Sequence, residues 1–325
     1  MAQLVTVFGG SGFLGKQVLR VLARQGWRIR VAVNKATEAY DLKLMGDVGQ
    51  IQVVRCDVRK EDEIVRALDG ASACVNLVGI LYQTMGVTFD AMHRQAAEWM
   101  ADSCKARGIR DFVQVSALGA DPQSPSVYAA TKAEAEAAVR SRIPTAVIIR
   151  PSLMFGPQDG FFTSLAGQVK LFPVMPSIDG GQTKFQPVYV GDVATSIGRV
   201  LGNADAYGKV YELGGPEVFS FNELVNYVAA EVMQPRPLVP LPVFAANLIG
   251  MVGNVQGWAK AILPIIPAPL LTTDQVKLLG VDNVVSPGAL GLKDLGIAPV
   301  AVESIVPTYL WRFRKNGQFA VATQS

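Results

Sequence analysis

Short apolar runs alternate with amphipathic stretches along the first 150 residues. The apolar, β-branched runs predict strands at Leu4–Phe8, Arg28–Val33, Gln52–Arg55, Ala73–Val78, Phe112–Val115 and Ala146–Ile149. The stretches of helical periodicity predict helices at Lys16–Arg24, Glu61–Leu68, Phe89–Arg107 and Tyr128–Arg142. Because strands that alternate with helices form parallel sheets covered on both faces, we predict an α/β fold with a doubly wound parallel sheet. Ligands of such folds bind at the carboxyl ends of the strands.

The regular alternation fades after Gly156. Val188–Gly202 predicts a helix-containing stretch that returns to the sheet, and Val210–Leu213 predicts a further short strand. Ser220 and Glu223 have the spacing of a capping box at the start of a helix. We therefore predict a Rossmann domain over residues 1–156, to which residues 185–215 return, and a small mixed C-terminal lobe over residues 157–325.

The stretch from Pro235 to Pro269 is apolar and framed by prolines, and it carries no charge from Pro237 to Ala259. Its length alone would suit a membrane span, which needs about 20 apolar residues. However, one stripe at helical spacing is polar or small, at Asn247, Gly250, Asn254, Gly257 and Ala261. The opposite stripe is large and apolar, at Phe244, Leu248, Met251, Val255, Trp258 and Ile262. This pattern predicts an amphipathic helix whose apolar face packs on the chain's own core, on a membrane interface or on another subunit.

Composition excludes several classes of protein. Half of the 325 residues are hydrophobic and 18% are charged, which is typical of a globular chain rather than a disordered one. A net charge of +3 without clustered bases and aromatics argues against nucleic acid as a partner. Cys56, Cys74 and Cys104 lack C-x-x-C spacing and fit reduced core thiols, and the single histidine, His93, excludes a histidine-based metal cluster.

The two ends of the chain raise the question of membrane contact. The N-terminus lacks the basic region and cleavage site of a signal peptide, so we interpret it as the first strand of the mature protein. Trp311–Lys315 combines aromatics with bases, which suits either anionic lipid headgroups or a solvated helix end.

The strongest functional signal lies between the first strand and the first helix. Gly9, Gly12 and Gly15 have the spacing G-x-x-G-x-x-G, interleaved with Ser11, Phe13 and Leu14. Glycines let backbone N–H groups approach a pyrophosphate, and a helix N-terminus adds partial positive charge. The segment therefore predicts a dinucleotide site; the alternative is a plain strand-to-helix turn.

Residues after the second strand bear on which dinucleotide binds. An NAD site usually has an acid here for the ribose 2′-hydroxyl, whereas this chain has Asn34 and Lys35, with no acid before Glu38. An amide and an ammonium favour a 2′-phosphate, so we predict NADP(H) as the cofactor. The alternative for Lys35 is a solvated loop charge.

Two further strand ends are expected to line the cofactor. Asp57 and Val58 follow the third strand, where the carboxylate accepts from the adenine amino group or, alternatively, caps the next helix. Leu77, Val78 and Gly79 follow the fourth strand and place a small, apolar backbone segment beside the cofactor.

Ser116, Tyr128 and Lys132 form a candidate catalytic group. The spacing Tyr-x-x-x-Lys puts a phenol and an ammonium on one helical face, which lowers the pKa of the phenol. Such a tyrosine acts as a general acid or base towards a carbonyl, while the lysine also holds the nicotinamide ribose. The same pair also arises by chance in many helices.

Together these motifs resemble the short-chain dehydrogenase/reductase superfamily, in its extended or atypical branch, over about residues 3–230. Arg150–Gly156 is similar to the segment that lines the nicotinamide pocket in extended members, and it includes Pro151 and Phe155. The resemblance implies a nicotinamide dinucleotide site but identifies no substrate.

Leu44–Gln50, Phe185–Val193 and the proline-rich lobe resemble one family in particular, the nucleotide-binding accessory subunit of respiratory complex I. The resemblance implies a structural, non-catalytic subunit with tightly held NADPH, located where the peripheral and membrane arms meet, near the quinone site. It implies other complex I subunits as partners and, through Pro235–Pro269, possible contact with the membrane surface. Without an organelle-type presequence, it points to a bacterial member on the cytoplasmic side of the inner membrane.

The intact Ser116, Tyr128 and Lys132 leave two other functions open. One is an NADP(H)-dependent reductase or epimerase that uses these three residues. The other is a sensor that binds the nucleotide and signals its redox state to a partner.

Overall fold

The computed structural model describes residues 3–262 and 269–319. The chain divides into two compact units. The first consists of Met1–Pro151, Val190–Leu213 and Ser286–Ile297, and the second of Ser152–Tyr189, Gly214–Val285 and Ala298–Ser325.

A seven-stranded parallel sheet forms the centre of the first unit. Its strands are β1 (Leu4–Phe8), β2 (Arg28–Val33), β3 (Ile51–Arg55), β4 (Ala73–Asn76), β5 (Asp111–Val115), β6 (Val147–Pro151) and β11 (Val210–Leu213), in the order β11-β6-β5-β4-β1-β2-β3. Val5 of β1 pairs with Ile29 of β2 on one side and with Ala73 of β4 on the other. The sheet confirms the predicted doubly wound α/β fold, with β1 at the point where the strand order reverses.

Helices cover this sheet: α1 (Phe13–Arg24), α2 (Glu61–Ala67), α3 (Ala96–Ala106), α4 (Val127–Arg142) and α6 (Val190–Val200). The amphipathic α1 buries Val18, Leu19 and Leu22. It also packs closely on α6, where a Cβ at Gly198 would lie 2.6 Å from Val21 Cγ1.

One predicted helix differs in the structure. Phe89–Arg107 was expected to be continuous, but a π-helix at Asp90–Gln95 precedes α3. The wider π-turn carries His93, which is buried and hydrogen-bonded at both ring nitrogens. The long amphipathic pattern does not reveal one wide turn, because that turn depends on contacts with residues distant in sequence.

The second unit has small sheets and a separate apolar core. Its strands are β7 (Met154–Phe155), β8 (Met175–Ile178), β9 (Lys184–Phe185), β10 (Val188–Tyr189), β12 (Phe219–Ser220) and β13 (Leu238–Leu241), paired as β10-β7, β12-β9 and β13-β8. Its helices are α5 (Phe161–Leu171), α7 (Phe221–Glu231), α8 (Val243–Ile262), α9 (Thr273–Leu278), α10 (Val302–Ile305) and α11 (Pro307–Leu310). The capping box of Ser220 and Glu223 is present at the start of α7, as predicted.

Short 3₁₀-helices complete the secondary structure. They lie at Ala36–Glu38, Tyr40–Met45, Asp179–Gly181, Ala204–Ala206, Lys293–Leu295, Trp311–Phe313 and Gly317–Phe319.

Helix α8 packs through its small residues. A Cβ at Gly253 would lie 1.8 Å from the Leu271 carbonyl oxygen, and Asn254 Nδ2 donates to Thr273 Oγ1 at 2.8 Å. Ala246 is fully buried on the same side. Close approach of the chain from Leu271 to Thr273 is therefore possible only because the facing helix positions lack bulky side chains.

The large apolar stripe of α8 faces solvent. The side chains of this stripe are 57–70% exposed at Phe244, Leu248, Met251, Val255 and Trp258. The predicted alternative in which this stripe packs on the chain's own core is therefore wrong. Within residues 3–262 and 269–319 no helix has the length and hydropathy of a membrane span. The side chains of Ala261 and Ile262, and the prolines Pro264 and Pro267, lie outside the described part of the chain.

Candidate nucleotide-binding site

The glycine turn joins the carboxyl end of β1 to the start of α1. Gly9 has φ +77°, and a Cβ there would lie 3.1 Å from the Leu77 carbonyl carbon. At Gly15 a Cβ would lie 2.5 Å from the Gly10 carbonyl oxygen. The first turn of α1 has no acidic residue, so its partial positive charge is not neutralised locally. The turn thus brings backbone N–H groups and a helix N-terminus together as a phosphate site requires.

Lys35 lies at the edge of the sheet beyond β2. Its Nζ is 2.8 Å from a Glu38 carboxylate oxygen, and the two side chains are 68% and 66% exposed. An exposed pair of this kind contributes little to folding and is readily exchanged for another anion. The roles predicted for Asn34 and Lys35 at a 2′-phosphate stay predictions.

Asp57 lies beyond β3 and is bound by a neighbouring arginine. Arg59 Nε and Nη2 donate to the two carboxylate oxygens at 2.9 and 2.6 Å, and Arg59 Nη1 donates to the Gly86 carbonyl at 2.8 Å. The hydrogen bonds from Arg59 lower the pKa of Asp57. Helix α2 has Lys60 at its N-cap, so the alternative role of Asp57 as that cap is wrong. Its contact with adenine, and that of Val58, stays a prediction.

The segment Leu77–Ile80 crosses the same edge of the sheet beyond β4. Asn76 Oδ1 accepts from the Val78 N–H at 3.0 Å, and His93 Nε2 accepts from the Ile80 N–H at 3.1 Å. A Cβ at Gly79 would lie 3.2 Å from Lys132 Nζ. Buried acceptors and a close ammonium therefore hold this backbone against the glycine turn.

Two buried polar residues meet at the ends of β4 and β5: Ser116, which directly follows β5, and Lys132, which lies on α4. Lys132 Nζ donates to the carbonyls of Val78 and Val115, each at 3.3 Å, and no carboxylate of the described residues lies within ion-pair distance. Burial lowers the pKa of Lys132 to about 8. The Ser116 hydroxyl is buried and has no hydrogen-bond partner among the described residues.

Tyr128 lies one turn before Lys132 on α4, a helix capped by Ser126, whose hydroxyl accepts from the Ala129 N–H at 3.3 Å. The phenol ring is half-buried and stands edge-on to the rings of Phe89 and His93. Of the predicted trio, Ser116 thus lies at the end of strand β5, and Tyr128 and Lys132 lie on helix α4.

These groups fit a nicotinamide dinucleotide. A buried hydroxyl without a partner and a buried ammonium bound only to carbonyls are both costly unless a ligand supplies acceptors. A ribose hydroxyl and a carboxamide are ligand groups that offer them. The glycine turn supplies the phosphate site on the neighbouring strand β1.

Pro151 and Phe155 are divided between the two units. Pro151 ends β6 in the first unit, and Phe155 belongs to the second. Phe155 is fully buried there, with its ring centroid 6.1 Å from that of Phe162 and 5.8 Å from that of Tyr189. Their contact with a cofactor stays a prediction.

Sequence reasoning missed the parts played by Arg59 and His93. Arg59 binds the carboxylate of Asp57, which was predicted to contact adenine, and His93 accepts a hydrogen bond from the Ile80 N–H. The spacing Asp-x-Arg gave a weak signal for the first. A lone histidine in an apolar helical pattern gave no signal for the second, because its partners Ile80 and Thr131 lie 13 and 38 residues away.

Comparisons with known proteins identify relatives that match most of the chain. Residues 5–214 match the model of the NAD dependent epimerase/dehydratase family. The chain is 36% identical over 317 residues to NADH dehydrogenase [ubiquinone] 1 alpha subcomplex subunit 9 from Arabidopsis thaliana mitochondria, covering 97% of this chain and 79% of that protein. The subunit 9 of Rattus norvegicus is 33% identical over 304 residues, covering 92% of this chain and 78% of that one.

A solved structure with the same fold is an NADPH-dependent quinone oxidoreductase from Escherichia coli, complexed with NADPH. It superposes with a TM-score of 0.72 at 19% identity, over 93% of this chain and 98% of that one. At this identity the likeness concerns the fold.

Proposed function

Because this chain belongs to the NAD dependent epimerase/dehydratase family, and within it to the family of NADH dehydrogenase subunit 9, we propose that it is an accessory subunit of respiratory complex I. Its role is to bind NADP(H) without turnover. The observation that carries the proposal is the match to the mitochondrial subunit over 97% of the chain, which includes the C-terminal lobe as well as the sheet.

The cofactor is bound by the carboxyl edge of the sheet. The N–H groups of the glycine turn from Gly9 to Gly15 bind the pyrophosphate, and Lys132 and Ser116 bind the ribose and carboxamide of the nicotinamide half. Asn34 and Lys35 directly follow β2, and the absence of an acid before Glu38 supports NADP(H) over NAD. When bound, the cofactor supplies a hydride donor or acceptor, but in a structural subunit its main effect is to stabilise the native state that binds it.

The subunit is peripheral and lies where the peripheral and membrane arms of the complex meet, near the quinone site. The exposed apolar stripe of α8, from Phe244 to Trp258, supports this location, because monomeric soluble proteins rarely expose such a surface.

The first test follows the chain in native membranes. After gentle solubilisation and size separation, the chain should migrate with NADH:quinone oxidoreductase activity and carry about one NADPH that resists exchange. Recovery of the chain in the soluble fraction with freely exchanging nucleotide would contradict the proposal.

A second function is favoured by one observation. Ser116 and Lys132 are buried beside the ends of β4 and β5, and Tyr128 lies on the same helix as Lys132, which is the arrangement of a reductase or epimerase site. In that function Tyr128 moves the proton and the nucleotide exchanges freely. Tyr128→Phe should then abolish hydride transfer to a carbonyl substrate while NADPH binding remains; unchanged turnover would exclude this role.

A further inference from the structure

The buried imidazole of His93 joins three elements of the first unit. His93 lies on the π-helix Asp90–Gln95, Ile80 on the segment after β4, and Thr131 on α4. The ring also lies 5.4 Å, centroid to centroid, from the rings of Phe89 and Tyr128, stacked on the first and edge-on to the second. From its place in the π-helix, the His93 side chain thus contacts four residues, which are Ile80, Thr131, Phe89 and Tyr128.

The hydrogen bonds determine which ring nitrogen carries the proton. The Ile80 backbone N–H is a donor at 3.1 Å, so Nε2 must accept and carries no hydrogen. In the neutral ring Nδ1 therefore carries the hydrogen and donates to Thr131 Oγ1 at 3.1 Å. The Thr131 hydroxyl in turn donates to the Val127 carbonyl at 2.8 Å. Burial and the charge of Lys132 lower the pKa of His93 to about 2, which keeps the ring neutral.

The backbone that His93 holds is the backbone that the cofactor is expected to touch. Asn76 fixes the Val78 N–H, and His93 fixes the Ile80 N–H, so the short segment is bound at two points. Between them, the Val78 carbonyl accepts from Lys132. A shift of Ile80 would therefore move the carbonyl that orients the Lys132 ammonium.

We propose that His93 is a positioning residue of the nucleotide site: its Nε2 fixes Ile80 and its ring fixes Tyr128, so that Leu77–Ile80 and α4 present their groups to the nicotinamide half of the cofactor. This inference rests on the proposed nucleotide binding and extends it to a residue outside the set predicted to bind the cofactor.

Two substitutions of His93 distinguish the hydrogen bond that Nε2 accepts from Ile80 from the other contacts of the ring. In His93→Gln the side-chain oxygen reaches the position of Nε2 and accepts from Ile80, whereas in His93→Asn the amide reaches only the position of Nδ1. We expect His93→Gln to release NADPH at a rate within about twofold of the unsubstituted chain, and His93→Asn to release it about tenfold faster. The rate is measured on the full chain from the loss of NADPH fluorescence during a chase with NADP⁺.

Tyr207→Phe is the control for a general loss of stability, because it removes a 2.6 Å hydrogen bond to Asp111 elsewhere in the same unit. It should lower the melting temperature without changing NADPH release. If His93→Asn behaves like Tyr207→Phe, or if the Gln and Asn variants release NADPH equally fast, His93 is structural only and the inference is wrong.

A measurement without nucleotide tests the same geometry. His93 is the only histidine, so ¹⁵N NMR of the ring has a single set of signals. We expect the Nδ1–H tautomer and no titration between pH 5 and 8, with slow hydrogen exchange of the Ile80 amide that is lost in His93→Asn and kept in His93→Gln. An Nε2–H tautomer, a ring that titrates in this range or a fast-exchanging Ile80 amide would overturn the inference. If these results hold but the unsubstituted chain binds no NADPH, then the proposed function fails and so does the role of His93 in it.

Discussion

Lys132 and Ser116 are buried polar residues whose position costs folding free energy. Among the described residues, the ammonium of Lys132 is bound only by backbone carbonyls and the hydroxyl of Ser116 has no partner. Burial of an ionisable group with incomplete pairing is more often found at functional sites than in ordinary cores. At the scale of single residues, these two groups therefore fit a ligand that supplies hydrogen-bond acceptors, and without one they lower stability.

Substitution of Lys132 should reveal this cost. Burial depresses the pKa of Lys132 in the folded state to about 8, below its usual value near 10.5, so the folded state holds this proton less tightly than the unfolded state. The loss of folding free energy caused by the buried ammonium therefore has its full value below about pH 8 and decreases to zero as the pH rises to about 10.5. Lys132→Met should therefore raise the free energy of unfolding of the nucleotide-free protein at pH 7 by roughly 2 kcal/mol, and the gain should shrink between pH 8 and 10.5.

The quantity to measure is the difference between the two proteins in urea unfolding at each pH, because thiols and phenols also ionise in this range. Lys132→Met should at the same time weaken NADPH binding. A variant that is less stable at pH 7, with a constant difference up to pH 10.5, would show that the ammonium is not strained by burial.

At the scale of elements, the glycine turn depends on backbone contacts that no other residue permits. A Cβ at Gly15 would meet the Gly10 carbonyl oxygen at 2.5 Å, and the obstacle is backbone rather than a flexible side chain. The start of α1 and the strand end of β1 must therefore separate to admit even a methyl group.

Gly15→Ala should lower the free energy of unfolding by about 1–3 kcal/mol and abolish detectable NADPH binding, because the turn must open. The matched control is Gly167→Ala on α5, where a Cβ meets nothing within 4 Å and φ is negative. That variant should be about 0.5–1 kcal/mol more stable and bind NADPH normally. Thermal unfolding and fluorescence titration measure both properties; normal NADPH binding by Gly15→Ala would contradict the phosphate role of the turn.

Several elements were predictable because their signals are local. Leu4–Phe8, Arg28–Val33 and Val210–Leu213 were predicted with the bounds that the structure has. The π-helix at Asp90–Gln95 was not, because an apolar face looks alike over one turn of either helix type. For Asp57, the spacing Asp-x-Arg gave only a weak signal that Arg59 binds the carboxylate.

At the scale of the whole molecule, helix α8 packs in the opposite way to an ordinary surface helix, which buries its large apolar side chains. Its small residues, among them Gly250 and Gly253, face the segment Leu271–Thr273, while the large apolar side chains face solvent. An exposed stripe of this size is typical of a surface that binds a partner or a membrane.

Replacing three exposed side chains of the stripe should weaken membrane association without unfolding the protein. The variant Phe244→Ser, Leu248→Ser, Trp258→Ser removes residues that are each more than half exposed. Since one such side chain contributes about 1–2 kcal/mol when buried, association should fall by at least about 100-fold. The fraction of protein that floats with phospholipid vesicles measures this association.

Val218→Ser is the control, because Val218 is also exposed but lies outside α8. Equal flotation of the triple variant and the unsubstituted chain would exclude the stripe as a membrane-binding surface. If neither protein floats but the triple variant no longer assembles into the solubilised complex, the stripe binds another subunit instead.

The sequence by itself determined the alternation of strands and helices, the glycine turn after β1 and the amphipathic character of α8, because these depend on residues within a few positions of one another. Only the tertiary structure decided which stripe of α8 is buried, that Arg59 binds the Gly86 carbonyl as well as Asp57, and that His93 holds Ile80. Each of these depends on the space and the hydrogen-bonding groups that other elements leave at one place. Periodicity carries no information on that, since a stripe of glycines is a suitable packing face only when a backbone lies against it.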